Sequence, residues 1–138
     1  MEKRFLSSKK PSREMTNSLI PLFAIIAPFL VWPIELILPY PHVVEEIAKG
    51  ILVYHGHFRP KQALLVGAIF AFSEAVFYSL NSPFAFSRLM YTLPLHAGTS
   101  LVMALSGRKY FYFGLTAAIL LHWIYNKFAG YPSLPGII

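Results

Sequence analysis

The chain alternates between long apolar runs and short polar breaks over most of its length. Several runs approach or exceed the roughly 20 residues that a helix needs to cross a bilayer, and none shows the alternation of a transmembrane barrel strand. Breaks such as Pro39-Tyr40-Pro41, Asn81-Ser82-Pro83 and Ser106-Gly107-Arg108 separate the runs. The pattern predicts five helices, at about residues 18–38, 42–55, 60–80, 87–105 and 110–128.

Composition places these helices in a membrane. Hydrophobic residues make up 56% of the chain and charged residues 13%, with a mean hydropathy of +0.54, whereas a soluble domain carries about 25% charged residues. We therefore expect an all-α fold, a polytopic membrane helical bundle with about five transmembrane helices. The chain has no cysteine, which excludes disulfides, thiolate metal ligands and a cysteine nucleophile.

Basic residues at the ends of the runs predict the orientation. If the short second segment spans, nine of the 12 lysines and arginines lie on the cytoplasmic side and two outside; if it does not, the counts become seven and four. The positive-inside rule favours the first arrangement, with the N-terminus in and the C-terminus out. The chain then divides into a cytoplasmic basic arm at 1–17, one membrane domain at 18–128 and an extracytoplasmic tail at 129–138. The net charge of +6 is explained by orientation, so we expect no nucleic-acid partner.

Polar residues inside the apolar runs are the candidates for function. A charge at the centre of a membrane helix costs roughly 2.5 to 3.5 kcal/mol, so ionisable residues there indicate a site. On the predicted topology all of them lie in the outer half of the bilayer, and they predict a polar pocket inside the bundle. They are Glu35, Glu45, Glu46, Lys49, Glu74, His96, His122 and Asn126.

Helical spacing groups these residues into one polar stripe per helix. Pairs four residues apart share a helix face, and they include Glu45 with Lys49, His96 with Ser100, and His122 with Asn126. Two glycines, Gly67 and Gly98, are expected to let helix backbones approach closely near the stripes. Glu35, at the end of a proline-rich helix, is expected at the membrane interface. Three further histidines are expected in solvent at loop edges: His42, His55 and His57.

Four motifs on successive helices resemble those of PrsW-type intramembrane proteases, which are distantly similar to the CAAX-protease and bacteriocin-processing superfamily. The motifs are Glu45-Glu46-x-x-Lys49, Phe70-x-x-x-Glu74 with Tyr78, Arg88 followed by Pro94-x-His96, and His122-x-x-x-Asn126, and together they cover about residues 41 to 126. The resemblance implies a multi-pass protein of the cell membrane that hydrolyses a membrane-anchored protein or peptide from the extracytoplasmic side. CAAX-type enzymes have histidine where this chain has Glu74, which leaves the partner of the catalytic glutamate open.

Amide hydrolysis needs a water, a base, donors for the oxyanion and an acid for the leaving amine. We expect Glu45 and Glu46 to act as a pair, one activating the water and the other orienting it or a histidine. Lys49 offsets their charge, and no cofactor is required. His122 and Asn126 are expected to donate to the oxyanion. His96 is expected to hold the water or protonate the amine, and Glu74 to be a supporting acid or a direct partner of the water.

Other interpretations use the same residues. Glu74, His96 and His122 form the ligand set of many hydrolytic zinc sites, with Glu45 or Glu46 left as base. Carboxylates and histidines in a bundle also suit a proton or cation pathway, an inactive relative that binds membrane partners, or a salt-bridged cluster that only holds a helix. The outer clustering and the absence of an inverted repeat favour a peptidase. A second copy of the chain could supply gating helices, so oligomerisation stays open.

Overall fold

The computed structural model describes residues 13–80 and 85–128, and within them the chain forms five α-helices and no strand. The all-α prediction is confirmed. The predicted tail and most of the predicted arm lie outside the described residues. The first helix begins at Arg13, inside the predicted arm and ahead of its predicted start at residue 18. The helices are α1 (Arg13–Glu35), α2 (Pro41–Gly56), α3 (Pro60–Ser79), α4 (Ala85–Leu105) and α5 (Phe111–Phe128).

Prolines and left-handed residues mark the helix ends. Pro41 and Pro60 occupy the first positions of α2 and α3, where a missing N–H removes no helical hydrogen bond and the fixed φ suits the helix. After α2 the chain turns at His57 with φ 50°, and after α4 at Gly107 with φ 63°. These short turns return each helix antiparallel to the one before it.

The five helices form a closed ring with α2 drawn toward its centre. Helix α1 packs on α2 and α3, α4 packs on α3 and α5, and α2 closes the ring against α5 while also contacting α3 and α4. At one end of the bundle, the start of α2 lies near the ends of α3 and α5. At the other end, α2 and α4 finish where α3 and α5 begin, around an apolar cluster of Val53, Ala63, Met103, Phe111 and Ala118.

The closest approach between helices is that of α3 and α4 at Gly67. A methyl group on Gly67 would overlap the carbonyl of His96 and the backbone of Ala97, so only glycine permits this spacing. The prediction for Gly67 is confirmed, and the contact places His96 directly beside α3. The prediction for Gly98 was wrong, because a methyl group there would meet open space.

The surface of the bundle is apolar, while its interior holds many polar groups. Exposed side chains include Leu30, Leu65, Phe72, Tyr112 and Phe113, the last two at 78% and 76% exposure. Among the described residues, one helix, Pro60–Ser79, is long and apolar enough to span a membrane, and Pro21–Glu35 is a shorter apolar helix. Helix α2 has only 16 residues, and buried polar side chains interrupt the apolar sequences of α4 and α5.

Candidate active site

Helix α2 carries the centre of the site. Glu45, Glu46 and Lys49 lie on its inward face, and Glu46 and Lys49 are completely buried. The Lys49 ammonium group contacts Glu46 Oε1 at 2.6 Å, His96 Nδ1 at 2.8 Å and Thr99 Oγ1 at 2.9 Å. An ammonium has three N–H donors and no acceptor, so these partners account for all of its hydrogen-bonding capacity. Lys49 therefore joins α2 to α4.

The ammonium determines the tautomer of His96. Because Lys49 only donates, His96 Nδ1 must accept, and the ring proton is carried by Nε2. That N–H donates to Glu74 Oε2 at 2.6 Å. Both ring nitrogens of His96 are then in use, and the relay Lys49–His96–Glu74 runs from α2 through α4 to α3. His96 holds its two neighbours in place and has no free ring nitrogen for a water.

The two carboxylate oxygens of Glu46 differ in their hydrogen bonds. Oε1 accepts from Lys49, from Thr99 Oγ1 at 3.2 Å and from His122 Nδ1 at 2.8 Å. Oε2 is buried and has no hydrogen-bond partner among the described residues. Three donors on one oxygen hold the carboxylate in a single position, so Glu46 is the point at which α2, α4 and α5 meet.

His122 lies between the two adjacent glutamates. Since Nδ1 donates to Glu46, Nε2 faces Glu45 Oε2 across 3.6 Å. This distance is too long for a direct hydrogen bond and too short for a water to lie between the two atoms. A water at the side of this gap would touch a carboxylate oxygen and an imidazole nitrogen together, which is the arrangement that a general base requires.

A narrow crevice of about 10 Å³, room for about one water, leads to Glu45 between α1, α2 and α3. Three carboxylates line it, those of Glu35, Glu45 and Glu74, whereas Glu46 does not. A second crevice of similar size reaches the other side of Glu74, beside Arg88 and Thr92. The remaining walls of the first crevice are Pro28, Val31, Trp32, Phe70, Phe77 and Tyr78.

No protein-family model, curated protein or solved structure matches the chain. The resemblance to PrsW-type proteases therefore stays a prediction from the four motifs. Those motifs do meet in space: α2, α3, α4 and α5 each bring the polar residue of their own motif to one buried cluster.

The structure joins six of the seven predicted site residues. They are Glu45, Glu46, Lys49, Glu74, His96 and His122, connected by hydrogen bonds or by ion-pair distances of at most 3.6 Å. Asn126 follows one turn after His122 and is half-buried, and no hydrogen bond ties its amide to the described residues. Ser100, expected on the face of His96, is buried, but its hydroxyl has no partner within the described chain.

Three residues of the site were missed or misplaced by the sequence. Thr99 bonds Lys49 and Glu46, and its spacing of three from His96 was a usable signal. Glu35 was expected at the interface, yet it lines the crevice with a buried oxygen. His42 was expected in solvent, yet it is buried with its ring 6.0 Å from that of His122. His55 and His57 are exposed, as predicted.

The predicted zinc ligands do not coincide with the group that the structure assembles. Glu45, His96 and His122 have possible ligand atoms within 4.8 Å of one another, so Glu45 takes the place expected for Glu74. The fit is poor, because His96 would have to release Lys49 or Glu74 and an ammonium group would remain 2.8 Å from Nδ1. Zinc sites with histidine ligands require an unprotonated nitrogen that points at the metal.

Proposed function

We propose that the protein is a multi-pass membrane peptidase that hydrolyses a peptide bond of a membrane-associated protein with a water activated by glutamate. The observation that carries the proposal is the 3.6 Å gap between Glu45 Oε2 and His122 Nε2 beside a crevice that reaches Glu45. A base and an imidazole meet beside a crevice that admits a water, which are two of the groups and the reactant that amide hydrolysis requires.

The surroundings of the two glutamates suggest different roles. Glu45 lines the crevice, and within the described chain no hydrogen bond holds its carboxylate, with His122 Nε2 3.6 Å away, so it is the better candidate for the base. Glu46 is bound by three donors through one oxygen, which lowers its basicity, and it orients His122 through Nδ1. His122 Nε2 can then hold the water or carry a proton to the leaving amine. Glu74 lies between the two crevices and keeps His96 in position.

The distribution of side chains supports a membrane environment for the whole bundle. Buried polar groups are as prominent as buried apolar ones, while large apolar side chains cover the outside of every helix. In water this arrangement would expose far more apolar surface than a soluble monomer tolerates. In a bilayer it is favourable, because lipid solvates the exterior and the polar groups satisfy one another inside.

Membrane embedding can be tested by cysteine labelling, because the chain has no cysteine of its own. We expect a membrane-impermeant maleimide applied to intact cells to label Lys127→Cys but not Lys61→Cys, and to label both after lysis. These positions lie at opposite ends of the bundle and both are exposed. Labelling of both positions in sealed cells would contradict the proposed five-span topology.

Peptidase activity can be tested by comparing newly formed protein N-termini in membranes that express different variants at matched folded levels. We expect a set of N-termini that is present with wild type and with Glu14→Gln, and absent with Glu45→Gln. Glu14 lies in the first turn of α1, at the opposite end of that helix from Glu35, and provides the same chemical change. Identical N-termini in all three samples, with substrate present, would contradict the proposal.

A metal-dependent peptidase is the second candidate, because Glu45, His96 and His122 lie within 4.8 Å of one another. The geometry favours the metal-free route, since both nitrogens of His96 are engaged. Loss of the wild-type N-termini after chelator treatment, with recovery on adding zinc, would favour the metal route.

A further inference from the structure

Another cavity, of about 160 Å³, lies at the end of the bundle opposite the candidate active site. Its walls come from the ends of α2 and α4, the two loops that follow them, and the start of α5. The floor is apolar and consists of Val53, Met103 and Phe111, all buried. The mouth carries His57 and Arg108. The cavity is therefore amphipathic, with an imidazole and a guanidinium toward the exterior.

The geometry of the two loops places the His57 and Arg108 side chains at the mouth of the cavity. Each loop has a residue in the left-handed region at or near its start, His57 with φ 50° and Gly107 with φ 63°. Left-handed turns of this kind end helices by bonding their last carbonyls, and here His57 N–H donates to the carbonyl of Tyr54 and Gly107 N–H to that of Ala104. Glycine adopts this conformation freely, whereas His57 is the only non-glycine residue of the described chain that does so.

The charged side chains in the two loops at this end, and in the sequence around them, are all basic. Arg108 lies over the ring of Tyr54, with its guanidinium carbon 4.9 Å from the ring centre. Three further basic side chains are exposed close by in the sequence, and no acidic residue occurs between residues 47 and 73 or after residue 74. They are Arg59, Lys61 and Lys109.

We propose that this cavity binds an anionic phospholipid, with the phosphate at Arg108 and His57 and the upper part of an acyl chain on the apolar floor. Basic pockets between membrane helices on the cytoplasmic side are suited to such head groups. A planar guanidinium matches phosphate oxygens in a bidentate manner. The inference rests on the membrane embedding proposed above and is independent of peptidase activity.

A lipid explains the cavity better than a free phosphate because the site has an apolar part. The floor is continuous with the core, and the neighbouring start of α5 exposes Tyr112 and Phe113 on the outer surface. A soluble anion would use only the mouth and leave the floor unfilled. Phosphate recognition is common to both ligands, so the experiment separates them by changing the floor and the mouth independently.

Native mass spectrometry of the purified protein in detergent provides the test. Phosphatidylglycerol and phosphatidylcholine with the same acyl chains are added in equal amounts, and the retained lipid is measured. We expect wild type to retain several-fold more phosphatidylglycerol, and Arg108→Gln to lose this preference. Lys127→Gln is the matched control, because Lys127 also lies over an aromatic ring, 4.9 Å from the centre of Trp123, but at the other end of the bundle.

A second variant tests the floor. Ala104→Leu reduces the cavity without changing charge, and we expect it to lower phosphatidylglycerol retention at least threefold while Arg108→Lys keeps most of it. Equal retention by wild type and Arg108→Gln would overturn the proposal, and so would an equal loss in Lys127→Gln. Displacement of the lipid by millimolar inorganic phosphate, together with full retention in Ala104→Leu, would replace the lipid by a soluble phosphate ligand and overturn it as well.

Discussion

The two ends of the bundle are held together in different ways. At one end, a buried ammonium, two imidazoles and the carboxylates of Glu46 and Glu74 hydrogen-bond one another, and Glu45 lies 3.6 Å from His122. At the other end, Val53, Ala63, Met103, Phe111 and Ala118 form an ordinary apolar cluster. In the bilayer proposed above, apolar packing would hold the helices without a hydrophobic driving force, at a lower cost than burying charges. The polar end therefore needs a reason beyond stability.

The apolar end also limits what the polar end can do. The hydrogen-bonded groups extend from Glu74 to Lys49 and stop there, and the next layer toward the basic loops consists of apolar side chains. A proton or cation pathway requires polar groups or water through the full thickness of the bundle. A closed polar pocket with access from one side suits a hydrolase better.

The largest expected effect is that of Lys49→Met, which breaks the polar end. Removing the ammonium leaves the buried Glu46 carboxylate without its cation, with only Thr99 and His122 as donors, and costs about 3 to 5 kcal/mol of unfolding free energy. Thermal unfolding in detergent measures the loss, and exposed Lys127→Met is the control. The double variant Lys49→Met/Glu46→Gln should recover much of the loss. If the double variant does not recover the lost stability, the Glu46 carboxylate without its ammonium partner is not the cause of the loss.

Met103→Ala weakens the apolar end instead. Met103 is almost completely buried, and we expect a loss of about 2 to 3 kcal/mol, at the low end of the range for soluble cores because lipid solvates apolar side chains as well. Met90→Ala, at a position 78% exposed, should leave the unfolding midpoint unchanged. Product formation per folded molecule should be unaffected by either change. A specific loss of activity in Met103→Ala would show that the two ends are coupled.

Gly67→Ala tests the helix contact that holds His96 beside α3. The added methyl group would push against the His96 carbonyl, and we expect a cost of about 1 to 3 kcal/mol from overpacking together with reduced product formation. Gly98→Ala is the matched control, since the same methyl group meets nothing there. Equal unfolding midpoints for the two variants would contradict the close approach of α3 and α4.

Thr99→Val is the smallest change. It keeps the shape of the side chain and removes one acceptor of Lys49 and one donor to Glu46, and hydrogen bonds between membrane helices are worth about 0.6 kcal/mol on average. A small fall in the unfolding midpoint is expected. Thr116→Val is the control, because that hydroxyl bonds only its own helix at Tyr112. A loss above that of Gly67→Ala would mean that Thr99 is essential to the network.

Sequence reasoning predicted the helices well because apolar runs and breakers act locally. The starts of α2 and α3 follow directly from Pro41 and Pro60. The extension of α1 back to Arg13 was not predictable from hydropathy, since polar residues continue a helix without an apolar run. The number of membrane spans is a separate question. Helix α2 is short, and its charged side chains belong to the candidate site.

The sequence predicted which residue types form the site, and only part of how they are arranged in space. Buried ionisable groups are conspicuous in an apolar sequence, so Glu45, Lys49 and His96 were evident. Which atoms meet depends on helix rotation and tilt, which spacing within a single helix does not determine. For that reason Thr99 was missed, the place of Glu35 in the crevice was not predicted, and the carboxylate grouped with both histidines is Glu45, not Glu74.

The most direct test of the account is to compare Glu45→Gln and Glu46→Gln for both product N-termini and thermal midpoint. Glu45 faces the crevice with one distant partner, whereas Glu46 is bound by three donors. We expect Glu45→Gln to abolish product, at least 100-fold for a lost general base, with a midpoint close to wild type. Glu46→Gln should lower product and midpoint together. Product formation that persists in Glu45→Gln would contradict the assignment of the base.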